Sequence, residues 1–165
     1  MSSLLFLSSN DFTVQQGTNG NILCTDISGI SLVLFYSTQC VYCQKLIPIF
    51  KELPSTINGC QFVMINVSTN KRIVDMARQT ILPIKYVPLI VMYVHGKPYY
   101  RYEGPKDINE IRRFILEMAN NIQNNQQFTG KDSNNKSSIP GYTIGHPLTG
   151  DDMVCYLEFD QAYEK

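Results

Sequence analysis

Several things are missing from this chain, and each absence narrows its role. There is no excess of either charge: the 165 residues carry 14 basic and 14 acidic side chains, for a formal net charge of zero. Nucleic acids and anionic membranes are usually met with a basic surplus, so neither is an expected partner. No apolar run reaches the length of a membrane span. The opening "MSSLLFLSSNDF" has an apolar run of four and no basic segment ahead of it, which does not make a secretory leader. A soluble, cytoplasmic protein is therefore expected. The matches to glycosylation sequons at Asn66 and Asn135 then read as chance.

Only one pair of cysteines is closely spaced, Cys40 and Cys43 in "QCVYCQ". A tetrahedral metal site would need two further ligands. Cys24, Cys60, Cys155, His95 and His146 are the candidates, and none forms a second CxxC or an HxxH. No metal is expected. Five cysteines are an odd number in a chain too long to need a disulfide scaffold, so free thiols plus one reactive pair are the default. Cys24, Cys60 and Cys155 read as buried or idle thiols. A regulatory disulfide among them is the alternative, with Cys155 its first candidate because it lies in the tail.

What is present suffices for a core: 44% hydrophobic residues, with 8 Phe and 10 Tyr. "LLFL" (4–7) reads as a first strand, and Ser9, Asn10 and Asp11 carry helix-start signals. Residues 13–30 show no clean period. "SLVLFY" (31–36) is a continuous apolar run, as in a strand buried on both faces. From Cys40 to Leu53 the period is helical, with Cys43, Leu46, Ile47 and Phe50 on one face and Pro48 placed to kink the helix. "QFVMINVS" (61–68) predicts a strand and "TNKRIVDMARQT" (69–80) a helix behind a Thr/Asn cap. "VPLIVMYV" (87–94) turns through "HGK" into "PYYRYEG" (98–104), which predicts a hairpin with His95 solvated in its turn and Tyr99, Tyr100 and Tyr102 packing on it. A last amphipathic helix carries Ile108, Ile111, Ile115 and Met118 inside, with Arg112, Arg113 and Glu117 outside.

Alternating strands and helices closed by a hairpin predict an α/β sandwich around a mixed sheet. The composition divides the chain into a domain at 1–119, a polar flexible linker at 120–140 and a tail at 141–165. The tail is too short for a core of its own, so it docks on the domain, for instance as a strand at "MVCYLEF", docks on a partner, or stays loose.

A CxxC opening a helix behind a buried strand is placed for thiol chemistry. The helix N-terminus offers unpaired N–H groups and the positive end of the dipole, both of which favour a thiolate. Residues three apart lie on the same side of a helix, so the two sulfurs can meet. On this reading Cys40 is the exposed nucleophile that attacks a substrate disulfide. Cys43, one turn in, resolves the mixed disulfide.

With its surroundings, the motif resembles the thioredoxin and protein disulfide isomerase family over roughly residues 4–119. "SLVLFYSTQCVYCQKLIP" is similar to the family's strand, CxxC, helix and kinking proline (Pro48). "YVPLIVMY" resembles the segment holding its cis-proline, which implies Pro88 in that role. "GKPYYRYEGPKDINEIRRFI" resembles the closing hairpin, the glycine after it (Gly104) and the last helix. The likeness extends to thioredoxin-like proteins of large DNA viruses, which would place the chain in a virion. The departures are specific. Gln39 stands where thioredoxins have Trp, and Val41-Tyr42 where they have Gly-Pro. Leu34 occupies the place of their buried acid. Tyr42 is closer to the Pro-Tyr of glutaredoxins, which use glutathione.

The resemblance implies a thiol–disulfide oxidoreductase that works through a mixed disulfide on protein substrates. Its site would be Cys40 and Cys43, with Gln39, Val41, Tyr42, Val87 and Pro88 binding the substrate. It would need no cofactor beyond a redox-active Cys40–Cys43 disulfide, and a partner reductase or oxidase would recycle it. The competing expectation is a non-catalytic interaction or scaffold module that makes its contacts through the tail.

Overall fold

The longest apolar runs of the chain become adjacent strands of one sheet. In the computed structural model, which describes residues 4–17, 20–102, 107–123, 141–142 and 155–157, the chain opens with strand β1 (Leu4–Phe6). A single 3-10 turn follows at Ser9–Asp11, and then an antiparallel hairpin of β2 (Phe12–Gln16) and β3 (Asn21–Thr25). After these come β4 (Ile30–Tyr36), α1 (Val41–Glu52), β5 (Cys60–Asn66), α2 (Lys71–Arg78), β6 (Tyr86–Val87), β7 (Leu89–Val94), β8 (Lys97–Tyr102) and α3 (Ile108–Gln123). Two short pairings lie further on, β9 (Gly141–Tyr142) and β10 (Cys155–Tyr156).

The main sheet runs β1-β5-β4-β7-β8-β9. β4 is central, parallel to β5 and antiparallel to β7. From Ser31 to Tyr36 every residue of β4 is buried, which is why its sequence is a continuous apolar run rather than an alternating one. Burying each such Leu, Val or Phe contributes roughly 1.5–3 kcal/mol. This is the expected mixed-sheet α/β sandwich.

The helix signals at Ser9 to Asp11 yield only one turn. Ser8 N–H donates to Asp11 Oδ2 at 2.8 Å, a local bond that closes a turn without propagating it. The stretch without a clean period is the β2–β3 hairpin. Only Phe12, Leu23 and Cys24 of it are buried, too few for a readable alternation. Asn70 is the N-cap residue of α2, as expected, but its side chain does not cap the helix: Asn70 Oδ1 instead accepts from Ser9 N–H at 3.1 Å, tying the first turn to that helix.

At the "HGK" turn, His95 (φ 51°) and Gly96 (φ 83°) are both left-handed, the pairing that suits a tight hairpin. A side chain at Gly96 would collide with the Thr25 carbonyl. His95 is exposed but not simply solvated, since its Nδ1 accepts from Gly29 N–H at 3.1 Å. The last helix buries Ile111, Phe114, Ile115 and Met118, and it runs to Gln123. Gly104, His146 and most of 120–154 lie outside the described residues.

Candidate active site

Central strand β4 ends at Tyr36, and a tight turn leads from it into α1. Cys40 N–H donates to the Ser37 carbonyl at 3.2 Å. Gln39 N–H donates to Ser37 Oγ at 3.1 Å. Gln44 Nε2 donates to the Thr38 carbonyl at 2.7 Å, so the turn is held from both ends. Cys40 is the N-cap residue of α1 with extended backbone, and no side chain caps the helix. A helix N-terminus carries the positive end of the helix dipole, which would favour negative charge on a residue in this position.

Cys43, Leu46 and Phe50 form the buried face of α1, with Ile47 half-buried. Phe50 anchors it by packing edge-on to Phe62 of β5, with ring centroids 5.8 Å apart. Pro48 lies inside the helix and leaves the Gln44 carbonyl without its usual donor. Cys43 has a free, fully buried thiol. Its Sγ accepts from Ser37 N–H at 3.4 Å, a donor that would favour its thiolate. Tyr36 is close enough to sense that charge. Burial holds its phenol above the ordinary value, and negative charge at Cys43 raises it further.

The strand opposite is β6. The Val87–Pro88 peptide bond is cis, both residues are buried, and the Val87 carbonyl oxygen lies 3.8 Å from Cys40 Sγ. Gln39 is exposed, Val41 is 51% exposed, and Tyr42 packs half-buried against the core. Of the five residues expected to line a substrate site, Gln39, Val41 and Tyr42 neighbour Cys40 in sequence, and Val87, followed by Pro88, faces it through its carbonyl. Leu34, in the position of the family's buried acid, sits between Met64 and Ile90 with no exposure.

Three expectations fail at this site. Cys40 is bonded not to Cys43 but to Cys155, across 115 residues. Cys155 is therefore not an idle thiol. β10 pairs antiparallel with β6, placing Cys155 opposite Val87 and its Cα 6.0 Å from that of Cys40, within the span a disulfide bridges. Nor is Cys40 exposed. It is 3% accessible, because Cys155 and the Val87 carbonyl crowd its sulfur.

Cys24 and Cys60 are buried free thiols away from this cluster. Burial pushes Cys60 up to about 12, partly offset by a backbone hydrogen bond at Leu32. Burial likewise raises Cys24, against a small opposing pull from Lys97. Among the described residues no three His, Cys, Asp or Glu side chains gather as metal ligands.

Ser37 and Tyr36 have no signal in the sequence, and Cys155, expected at most to join a disulfide with Cys24 or Cys60, pairs with Cys40 instead. Only Cys155 left a signal, as the odd cysteine inside a strand-like run in the tail.

The thioredoxin family profile matches residues 15–117, more than half of the chain. The chain belongs to the thioredoxin family. It is 35% identical over 170 residues to Uncharacterized protein 196R of Invertebrate iridescent virus 6, spanning 99% of this chain and 95% of that one. That likeness takes in the tail as well as the thioredoxin domain. It is 30% identical over 90 residues to Protein disulfide isomerase-like 2-3 of Oryza sativa subsp. japonica, covering 54% of this chain and 19% of the relative. Among solved structures, the N21Q mutant thioredoxin from Halobacterium salinarum NRC-1 shares the fold at a TM-score of 0.50, with 19% identity, 70% of this chain and 89% of that one covered.

Proposed function

We propose that this thioredoxin-family chain is a thiol–disulfide oxidoreductase acting on protein substrates, with Cys40 as nucleophile and Cys43 as resolving thiol. The observation that carries the reading is the arrangement at the start of α1. Cys40 caps the helix with its sulfur already engaged in a disulfide, and Cys43 waits as a free thiol in the next turn.

In the reductive direction both cysteines start as thiols. Cys40 thiolate attacks one sulfur of a substrate disulfide, forming a bond to it and releasing the other sulfur as a thiolate that takes up a proton. Cys43 then gives up its proton and attacks Cys40. The Cys40–Cys43 bond forms, and the second substrate sulfur leaves. The substrate gains two electrons and two protons, and the chain loses them. An external dithiol restores it, so no bound cofactor or metal takes part.

The first-turn N–H groups favour the Cys40 thiolate, and Ser37 N–H favours that of Cys43 in place of the family's acid. Exposed Val41 and Gln39, with the Val87 backbone, form the docking rim. The free thiols Cys24, Cys43 and Cys60 support a reducing, cytoplasmic setting.

Insulin reduction driven by dithiothreitol tests the reading. The wild-type chain should precipitate insulin well ahead of the uncatalysed mixture, and Cys40→Ser should fall to that background. Equal rates for the two proteins would sink the assignment.

A further inference from the structure

The engaged sulfur of Cys40 shows what the site holds. Its partner belongs to an extended segment that adds a strand to β6: Cys155 opposite Val87, Tyr156 opposite Tyr86, and Leu157 N–H donating to the Lys85 carbonyl at 3.0 Å. Cys155 and Leu157 are alternate residues and so share one face of that strand. Both are partly buried against the core. This is strand addition, in which the backbone ladder supplies affinity and alternate side chains supply selectivity.

We infer that residues 155–157 are an internal substrate: Cys155 is a third redox cysteine that closes the site covalently, and external substrates are extended polypeptides that present cysteine, any residue, then an apolar residue in the same register. The inference rests on the oxidoreductase reading and names its substrate class.

The internal step balances without any added oxidant. Cys43 loses a proton and its thiolate attacks Cys40 Sγ. The Cys40–Cys43 bond forms as Cys40–Cys155 breaks, and Cys155 departs as a thiolate that takes up a proton. One disulfide is exchanged for another, and the tail is freed from the groove. In reverse, Cys155 thiolate attacks Cys40 in the Cys40–Cys43 disulfide and closes the site again. An incoming polypeptide must therefore compete with the tail for the β6 edge. Closure confines the resting oxidised chain to partners that can displace Leu157 as well as reach sulfur.

The test uses the full chain in two arms. In the first, oxidised wild type and Cys43→Ser are acid-quenched, digested without reduction and mapped by mass spectrometry. Cys43→Ser removes the internal attacker and should carry Cys40–Cys155 as its sole disulfide. Wild type should hold Cys40–Cys155 and Cys40–Cys43 together, with their ratio moving as the tail is displaced. Finding Cys155 as a free thiol in oxidised Cys43→Ser overturns the inference.

In the second arm, Cys155→Ser is mixed with a synthetic peptide of residues 153–159 whose cysteine is activated as a nitrothiobenzoate mixed disulfide, and with the same peptide carrying L157D. Single-turnover release of the chromophore should be at least ten-fold slower for the L157D peptide. Equal rates overturn the recognition rule. Insulin turnover by the wild type separates the two failures. Activity that Cys40→Ser abolishes, with neither signature above, defeats the internal-substrate inference alone. Activity that Cys40→Ser retains defeats the oxidoreductase reading beneath it.

Discussion

Cys155 stands directly opposite Val87 across an antiparallel strand pair, one residue before the cis Pro88, and its sulfur is bonded to Cys40 at the head of α1. Backbone pairing and a covalent bond thus converge on one point. The strand edge of β6 and the N-terminus of α1 are joined through one residue of β10.

The two buried thiols outside the site, Cys24 and Cys60, should be chemically silent. Iodoacetamide at pH 8 reacts through thiolates, and burial raises both Cys24 and Cys60 above their ordinary value. Peptide mapping of the native, dithiothreitol-treated chain should find label at Cys40 and Cys155, and at Cys24 and Cys60 only after denaturation.

Alkaline stability should fall in a defined window. Cys60 has a thiol pKa near 9.0 when unfolded and about 12 when folded, raised by burial. The neutral form is favoured in the fold, so its contribution is fully present below pH 9 and is lost as pH rises from 9 towards 12. The slope is about 1.4 kcal/mol per pH unit for one proton. Urea denaturation from pH 8.5 to 11 should show that loss in wild type and a shallower one in Cys60→Ala.

Phe50 holds α1 to the sheet through Phe62. Phe50→Ala removes a fully buried ring and leaves a cavity, costing about 3–5 kcal/mol. Urea denaturation should register that loss, and insulin reduction should slow with it.

Val41 is an exposed apolar side chain next to Cys40 in the chain. Val41→Glu should leave stability within about 0.5 kcal/mol, as surface changes generally do. Its kcat/KM for reduced-insulin formation should drop roughly five- to ten-fold, the equivalent of about 1–1.4 kcal/mol of apolar contact. A smaller effect on a small aromatic disulfide would show that the contact is with polypeptide.

The legible parts of this chain are those where local pattern and tertiary position agree. "SLVLFY" is continuous because β4 is covered on both faces, and Cys43, Leu46 and Phe50 repeat because they face one core. The β2–β3 hairpin hid because it buries too few residues to impose a period. The Cys40–Cys155 bond was beyond sequence reasoning for a different reason. It joins residues 115 apart through a two-residue strand pairing, and no local signal specifies which edge a short tail strand will choose. The exposure expected of Cys40 failed with it, since that expectation left no room for an occupant of the groove.

The central claim is that Cys40 is the sulfur that meets substrate. Its most direct measurement is trapping with the Cys43→Ser, Cys155→Ser double variant, which lacks both resolving thiols, followed by intact-mass and peptide mapping after exposure to insulin. The account predicts one insulin chain disulfide-linked to each protein molecule, at Cys40, and released by dithiothreitol. An adduct mapped to Cys24 or Cys60, or no adduct while Cys40 remains reduced and alkylatable, would contradict it.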